Sequence, residues 1–305
     1  MLRILALLAL IVLVLMPAFA SVQTTIFDCS YRISAVQNTT GARVDWVRQA
    51  ILVTSTAIAP PQIMGTRARD AARTLALESA RSIYITYVNQ MHLTAYASVT
   101  DAIATCYLPK QEQEGLGKDI QPVVETWDTM ERSLALISAI PLCGPGSPNV
   151  IAARMLKIEQ DAFAKQHPVQ WYKNSPTAAT HPENTPASSL SNRPYTGIIL
   201  DCTKMHYEPV LLPKLVAKDG TVLWGLQDIN QTDVMQQGMM GYSATLRDAK
   251  SSLRVGMHPC IIRPSSLCGP LRGDLMLSAE DTRQLAEIQA VSECLNKLAV
   301  IAVID

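Results

Sequence analysis

The stretch Tyr195-Thr196-Gly197-Ile198-Ile199-Leu200-Asp201 decides the fold, read together with the end of the chain, Leu298-Ala299-Val300-Ile301-Ala302-Val303-Ile304-Asp305. Both are short apolar runs that stop at an aspartate. The terminal run has no polar side at all, which predicts a central strand covered on both faces. Between them, Leu215-Val216-Ala217-Lys218-Asp219-Gly220-Thr221-Val222-Leu223 reads as a tight hairpin. Asp-Gly between β-formers suits a turn that needs positive φ at both central residues.

Around this frame the other elements of the C-terminal region take their places. Asp233–Lys250 is expected to be helical, weakened at Gly238 and Gly241. Short strands are expected at Cys260–Arg263 and Asp274–Leu277. Ser278 with Asp281 forms a capping box for a helix to about Glu293, with Leu285, Ile288 and Val291 inward.

The N-terminal half alternates more openly. Asp45–Ile58 predicts one long strand with Val47, Ile51, Val53 and Ala57 on a face. Thr66 opens a helix to about Asn89, with Ala68, Ala71, Ala72, Leu75, Ala76, Ser79, Ala80 and Ile83 as its stripe. The opposite face carries Arg67, Asp70, Arg73, Glu78 and Arg81, whose mixed signs read as a solvated surface. Period two over Met91, Leu93, Ala95, Ala97 and Val99 predicts a strand. Val123–Trp127 and Ser133–Ile140 predict a strand pair turning at Asp128–Glu131. Ser147 as cap and Pro148 at the first position start a helix to Lys165. The stretch 166–194 holds five prolines among Ser, Thr, Asn and Ala, a linker composition.

The expected fold is therefore α+β, in two small domains, each a mostly antiparallel or mixed sheet with helices packed on one face. The parts are a signal peptide at 1–20, an N-terminal domain at 21–143, a connecting helix at 144–165, a linker at 166–194 and a C-terminal domain at 195–305. Arg3, the apolar run Ile4–Met16, Pro17 and Ala18-Phe19-Ala20 carry the signal reading and imply a periplasmic or secreted protein. Charges balance, 26 basic against 26 acidic, so no nucleic-acid footprint is indicated. All seven cysteines (29, 106, 143, 202, 260, 268, 294) follow the cleavage site, and none forms a C-x-x-C pair.

Few residues have the chemistry of a site. Cys202 with His206, and His258 with Cys260, are loose pairs that fall short of a metal-ligand pattern. Gly241-Tyr242-Ser243 lacks the second flanking glycine of a nucleophile elbow. Glu125, Asp128 and Glu131 crowd a turn where carboxylates face water. No catalytic residue, cofactor or metal site is expected. Asp201, at a strand end, is the residue to watch, either capping a turn or meeting a ligand. A disulfide between Cys260 and Cys268 is expected across the turn-like Arg263-Pro264-Ser265-Ser266.

The residues Thr196-Gly197, Ile198–Asp201, Pro209, Pro213, Asp219-Gly220, Gln237-Gly238-Met239, Gly241-Tyr242 and Val300–Asp305 are similar to the C-terminal region of bacterial envelope proteins. Ala71-Ala72-Arg73 and Ala80, before a strand, resemble the small outer-membrane lipoprotein family with FlgP-like members. The resemblance implies a non-enzymatic envelope protein that works through protein–protein contacts or self-association, in some relatives within a flagellar or cell-surface assembly. Two departures stand out: no lipid-acceptor Cys follows the signal, and Cys202–Tyr207 replaces a small Gly-rich turn. The other reading is a periplasmic binding module for an envelope polymer or small ligand.

Overall fold

Alternation of apolar residues in Ala50–Ile58 and Ser133–Pro141 gives two long antiparallel strands, β2 and β4, at the centre of the first sheet. β1 (Gly41–Asp45) and β3 (Pro122–Asp128) flank them in the order β1-β2-β4-β3. The computed structural model describes residues 40–105, 115–117, 120–166 and 194–304. The signal segment, Cys29, Cys106 and most of the Pro-rich stretch lie outside these residues.

The expected single strand from Asp45 to Ile58 is instead two. The chain turns at Trp46–Gln49, where Asp45 accepts the Arg48 N–H at 2.9 Å and Gln49 takes φ of 52°. Val47 therefore sits exposed in the turn. The β3–β4 turn forms as read, with Asp128 accepting the N–H groups of Met130 and Glu131. α1 (Thr66–Gln90) covers one face of this sheet. Its buried stripe is Ala68, Ala72, Ala76, Ala80, Tyr84 and Val88, every fourth residue, and the alanines let the helix axis lie close to the strands. Leu75 falls outside the stripe and is exposed.

Met91–Val99 is not a strand. It is a looped segment closed by one bridge between His92 and Ser98, and Thr94 Oγ accepts the N–H groups of Tyr96 and Ala97. Met91, Leu93 and Ala95 are buried all the same, so the alternation marked burial rather than extended pairing. α2 (Val99–Ala104) follows, opened by a capping box of Ser98 and Asp101. α3 (Pro148–Gln166) forms as expected, but the Ser147 hydroxyl is buried without a hydrogen-bond partner instead of capping it.

The C-terminal region holds two sheets. The mixed one runs β10 (Ser266–Cys268), β11 (Asp274–Met276), β6 (Leu215–Val216), β7 (Val222–Trp224). The β6–β7 hairpin differs in turn type from the expectation. Gly220 N–H meets Ala217 O at 3.0 Å, Ala217 N–H meets Thr221 O at 2.8 Å, and only Gly220 has positive φ. That is a three-residue loop with a glycine bulge.

The other sheet, β8 (Gly241–Ser243), β12 (Val300–Val303), β5 (Gly197–Asp201), β9 (Pro259–Ile262), is parallel throughout. β12 is central and buried along its whole length, as its apolar sequence predicts. Helices cover both faces rather than one. Ile199, Ile301 and Val303 pack with Leu246 and Ala249 of α5 (Leu246–Ser251). Ile198, Leu200, Val300 and Ala302 share the main core with Leu285 and Ile288 of α6 (Ala279–Val291). Val291, expected inward, is 69% exposed because α6 ends there. The expected helix over Asp233–Lys250 is interrupted by β8, which separates α4 (Gln231–Gln237) from α5.

The fold is α+β, and Thr40–Asp305 make one compact unit. Ile51, Leu142, Ile151 and Leu156 belong to the same buried cluster as Leu212, Leu226, Met240 and Tyr242. Trp46 stands edge-on to Tyr242, 5.2 Å between ring centres, and Gly144 N–H meets Met235 O at 2.8 Å. The first sheet and the C-terminal sheets thus meet through a common core. Each fully buried Ile, Leu or Val in it contributes roughly 1.5–3 kcal/mol of transfer free energy.

Candidate functional site

Two of the motifs that carry the family resemblance, Thr196-Gly197 and Gln237-Gly238-Met239, converge on the connection from α5 to β9. Thr196 Oγ donates to Val255 O at 2.6 Å and accepts the His258 N–H at 2.9 Å. Gly197 lies so close that a Cβ there would be 2.6 Å from Val255 Cα. Arg254, from the same connection, reaches the carbonyls of Gln237, Gly238, Met239 and Leu298 at 2.7 to 3.1 Å. Burial pushes its guanidinium down to about 10, still charged at neutral pH. Thr196-Gly197 and Gln237-Gly238-Met239 are therefore shaped to hold one loop. Sequence reading missed Arg254, whose neighbours in the chain give no sign of its carbonyl partners.

The carboxyl ends of the parallel strands bring Asp201, Val303 and Ser243 level with one another. Asp201 is buried. Its Oδ1 accepts the Thr203 hydroxyl at 2.6 Å, and its Oδ2 pairs with the Arg263 guanidinium just past β9. The hydrogen bond from Arg263, then that from Thr203, holds the carboxyl below its usual range. Asp201 thus caps a turn and anchors an exposed arginine, while Ser243 Oγ donates to Thr245 O at 3.0 Å.

Other expected pairings do not assemble. Cys260 lies on β9 of the parallel sheet and Cys268 on β10 of the mixed one, and both are free thiols. The expected Cys260–Cys268 bridge is not formed. Cys202 is buried and pushed up to about 12 by burial, while His206 is exposed. His258 stacks on Tyr195 with ring centres 5.2 Å apart. Among the described residues no three His, Cys, Asp or Glu side chains gather to hold a metal ion. Glu125 pairs with Arg73 of α1 at 2.8 Å, a brace between helix and sheet.

The sheet edges differ in character. β3 carries Pro122, a register shift, Glu125 and Asp128; β1 carries Arg43 and Asp45. Prolines, irregularities and charges of this kind discourage pairing with another chain. Among the described residues β9 pairs with β5 alone, and after Pro259 its residues Cys260-Ile261-Ile262 carry no charge. Ile261 is 42% exposed, and Leu253 and Met257 in the preceding connection are 98% and 97% exposed. Ile261 is on the face that α5 covers, but α5 is too short to reach this outermost strand. The expected strand at Cys260–Arg263 exists, yet no feature of the sequence marks it as an edge.

No helix among the described residues is long and apolar enough to cross a membrane. No curated protein matches the chain. Residues 197–305 match the family model described as Treponema pallidum Tp0624, second domain, so that the C-terminal region, from the first residue of β5 onward, is similar to a domain of that protein.

Proposed function

We propose that this is a non-catalytic protein of the bacterial envelope that acts through protein–protein contacts, with the β9 edge as its contact surface. The observation that carries this reading is the uncharged edge of β9 beside exposed Leu253, Met257 and Ile261. A short strand with a free edge offers main-chain hydrogen bonds, and alternate apolar side chains supply the rest of the affinity. The signal-like first twenty residues support a periplasmic or secreted location. The likeness to FlgP-like outer-membrane lipoproteins supports a role in a flagellar or cell-surface assembly. A second reading, a binding module for an envelope polymer or small ligand, is favoured by the parallel sheet, since open sheets of this kind bind ligands beyond their carboxyl ends.

Replacing Ile261 with a photo-crosslinking residue in the full chain, expressed in its native envelope, tests the first reading. Discrete adducts at Ile261 are expected. Their absence, together with a saturable ligand lost on Asp201→Asn, would move the assignment to the second.

A further inference from the structure

The turn that follows β5 is met by side chains from two other parts of the C-terminal region. Met205 N–H closes the turn on Cys202 O at 3.1 Å, which holds its two ends within roughly 7 Å of each other. Lys204 and His206, both exposed, take left-handed φ of 66° and 49°. Such backbone is sparsely populated outside glycine and gathers where ligands are held. From the end of β9, Arg263 donates Nε and Nη2 to Asp201 Oδ2, at the near end of the turn. From the loop between β10 and β11, Arg272 donates Nη2 to Met205 O at 3.0 Å, at the far end. Each guanidinium is thus anchored by one edge while its side chain stays exposed. Asp201 is buried, with Oδ1 taken by Thr203 and Oδ2 by Arg263, so it offsets Arg263 and leaves Arg272 unbalanced. Over Asp201–Glu208 and the two arginines, the exposed permanent charges are Lys204, Arg263 and Arg272 against Glu208.

We propose that this turn, with Arg263 and Arg272 anchored at its two ends and Lys204 within it, binds a phosphate group. The proposal rests on the second reading above, a ligand-binding module, and names the class of its ligand. The site lies at the carboxyl end of the parallel sheet, where open sheets of this kind take ligands. A guanidinium presents a planar fork that fits carboxylate and phosphate alike, so charge decides between them. Arg263 already faces one carboxylate, and a monocarboxylate ligand would meet little charge left over. A phosphate monoester carries roughly 1.5–2 negative charges at neutral pH and three acceptor oxygens. It can engage Arg272 and the outer edge of Arg263 together. Because Asp201 and the Met205 carbonyl already hold the two forks, little side-chain freedom remains to be lost on binding. A soluble phosphate ester and a phospholipid headgroup present this same chemistry.

Calorimetric titration of the full chain with inorganic pyrophosphate, and sedimentation with phosphatidylcholine vesicles containing phosphatidic acid, test the site. Saturable binding is expected in at least one arm: pyrophosphate alone points to a soluble ester, the vesicles to a headgroup. Arg272→Gln, an exposed change that keeps every contact of Asp201, should weaken that binding roughly tenfold or more. Arg263→Gln should weaken it as much, with a thermal melt to confirm that the variant folds. Arg81→Gln, exposed on α1, should leave it unchanged. Binding in neither arm, or equal affinity in Arg272→Gln and the wild type, would overturn the phosphate site. Uptake of an uncharged N-acetylglucosamine trimer that Asp201→Asn abolishes, with no pyrophosphate or vesicle binding, would also overturn it while the binding-module reading stands.

Discussion

The first sheet and the parallel sheet solve the same problem with opposite means. In the first, β2 and β4 run nine residues each, pair over their whole length and hide one face under α1. Alanines provide the close approach, and charge and proline guard the edges. The parallel sheet has strands of three to five residues, covered on both faces, and takes its register from distant segments. Its stability rests on a few close approaches fixed by Thr196, Gly197 and Arg254. A sheet made of long hairpins distributes its stability, whereas one made of short crossover strands concentrates it.

The sharpest way to break the comparison uses one glycine from each sheet. Gly197→Ala places a methyl against the Val255 backbone, where neither side can retreat, and should cost roughly 3 kcal/mol or more. Gly41→Ala, on β1 with nothing within 4 Å of the new atom, should stay within about 0.5 kcal/mol. Urea unfolding of both variants measures the difference. Equal losses would mean that the two sheets share strain alike.

A smaller effect separates the acids of the two regions. Asp274 has its folded carboxyl raised to about 6, so its contribution to stability is complete below about pH 4 and lost as pH rises through about 6. Asp274→Asn should therefore match the wild type near pH 4 and exceed it by roughly 1–2 kcal/mol at pH 7.5. Glu125, paired with a partly exposed arginine, should give Glu125→Gln a change under about 0.5 kcal/mol. Thermal melts across that pH range check both, and a stabilised Glu125→Gln beside an unchanged Asp274→Asn would reverse the assignment.

The same contrast decides what the sequence made legible. Long periodic elements could be read: α1, β3–β4, the cap of α6 at Ser278 and the central apolar strand β12. Where alternation was short it misled, since Met91, Leu93 and Ala95 are buried from a loop whose carbonyls at His92, Leu93 and Ala95 accept N–H groups from Leu211, Leu212 and Leu271 without forming a strand. The chain over Asp233–Lys250 carries helical residues on both sides of β8. There the tertiary pairing of Gly241–Ser243 with β12 overrides local propensity. Of the site, Asp201 could be read as a turn cap, but its partner Arg263 could not, lying 62 residues away. The β9 edge was invisible because being outermost is a property of strand order, which no single strand encodes. Cys260 and Cys268 looked bridged only because they are near in sequence.

We propose the β9 edge, and not the guarded β3 edge, as the place where this protein meets its partner. The most direct measurement compares photo-crosslinking residues at Ile261 and at Val123, each exposed, in the full chain within its native envelope. A discrete adduct is expected from position 261, abolished by Met257→Lys, and none from position 123. Adducts from both positions alike, or from 123 alone, would contradict it.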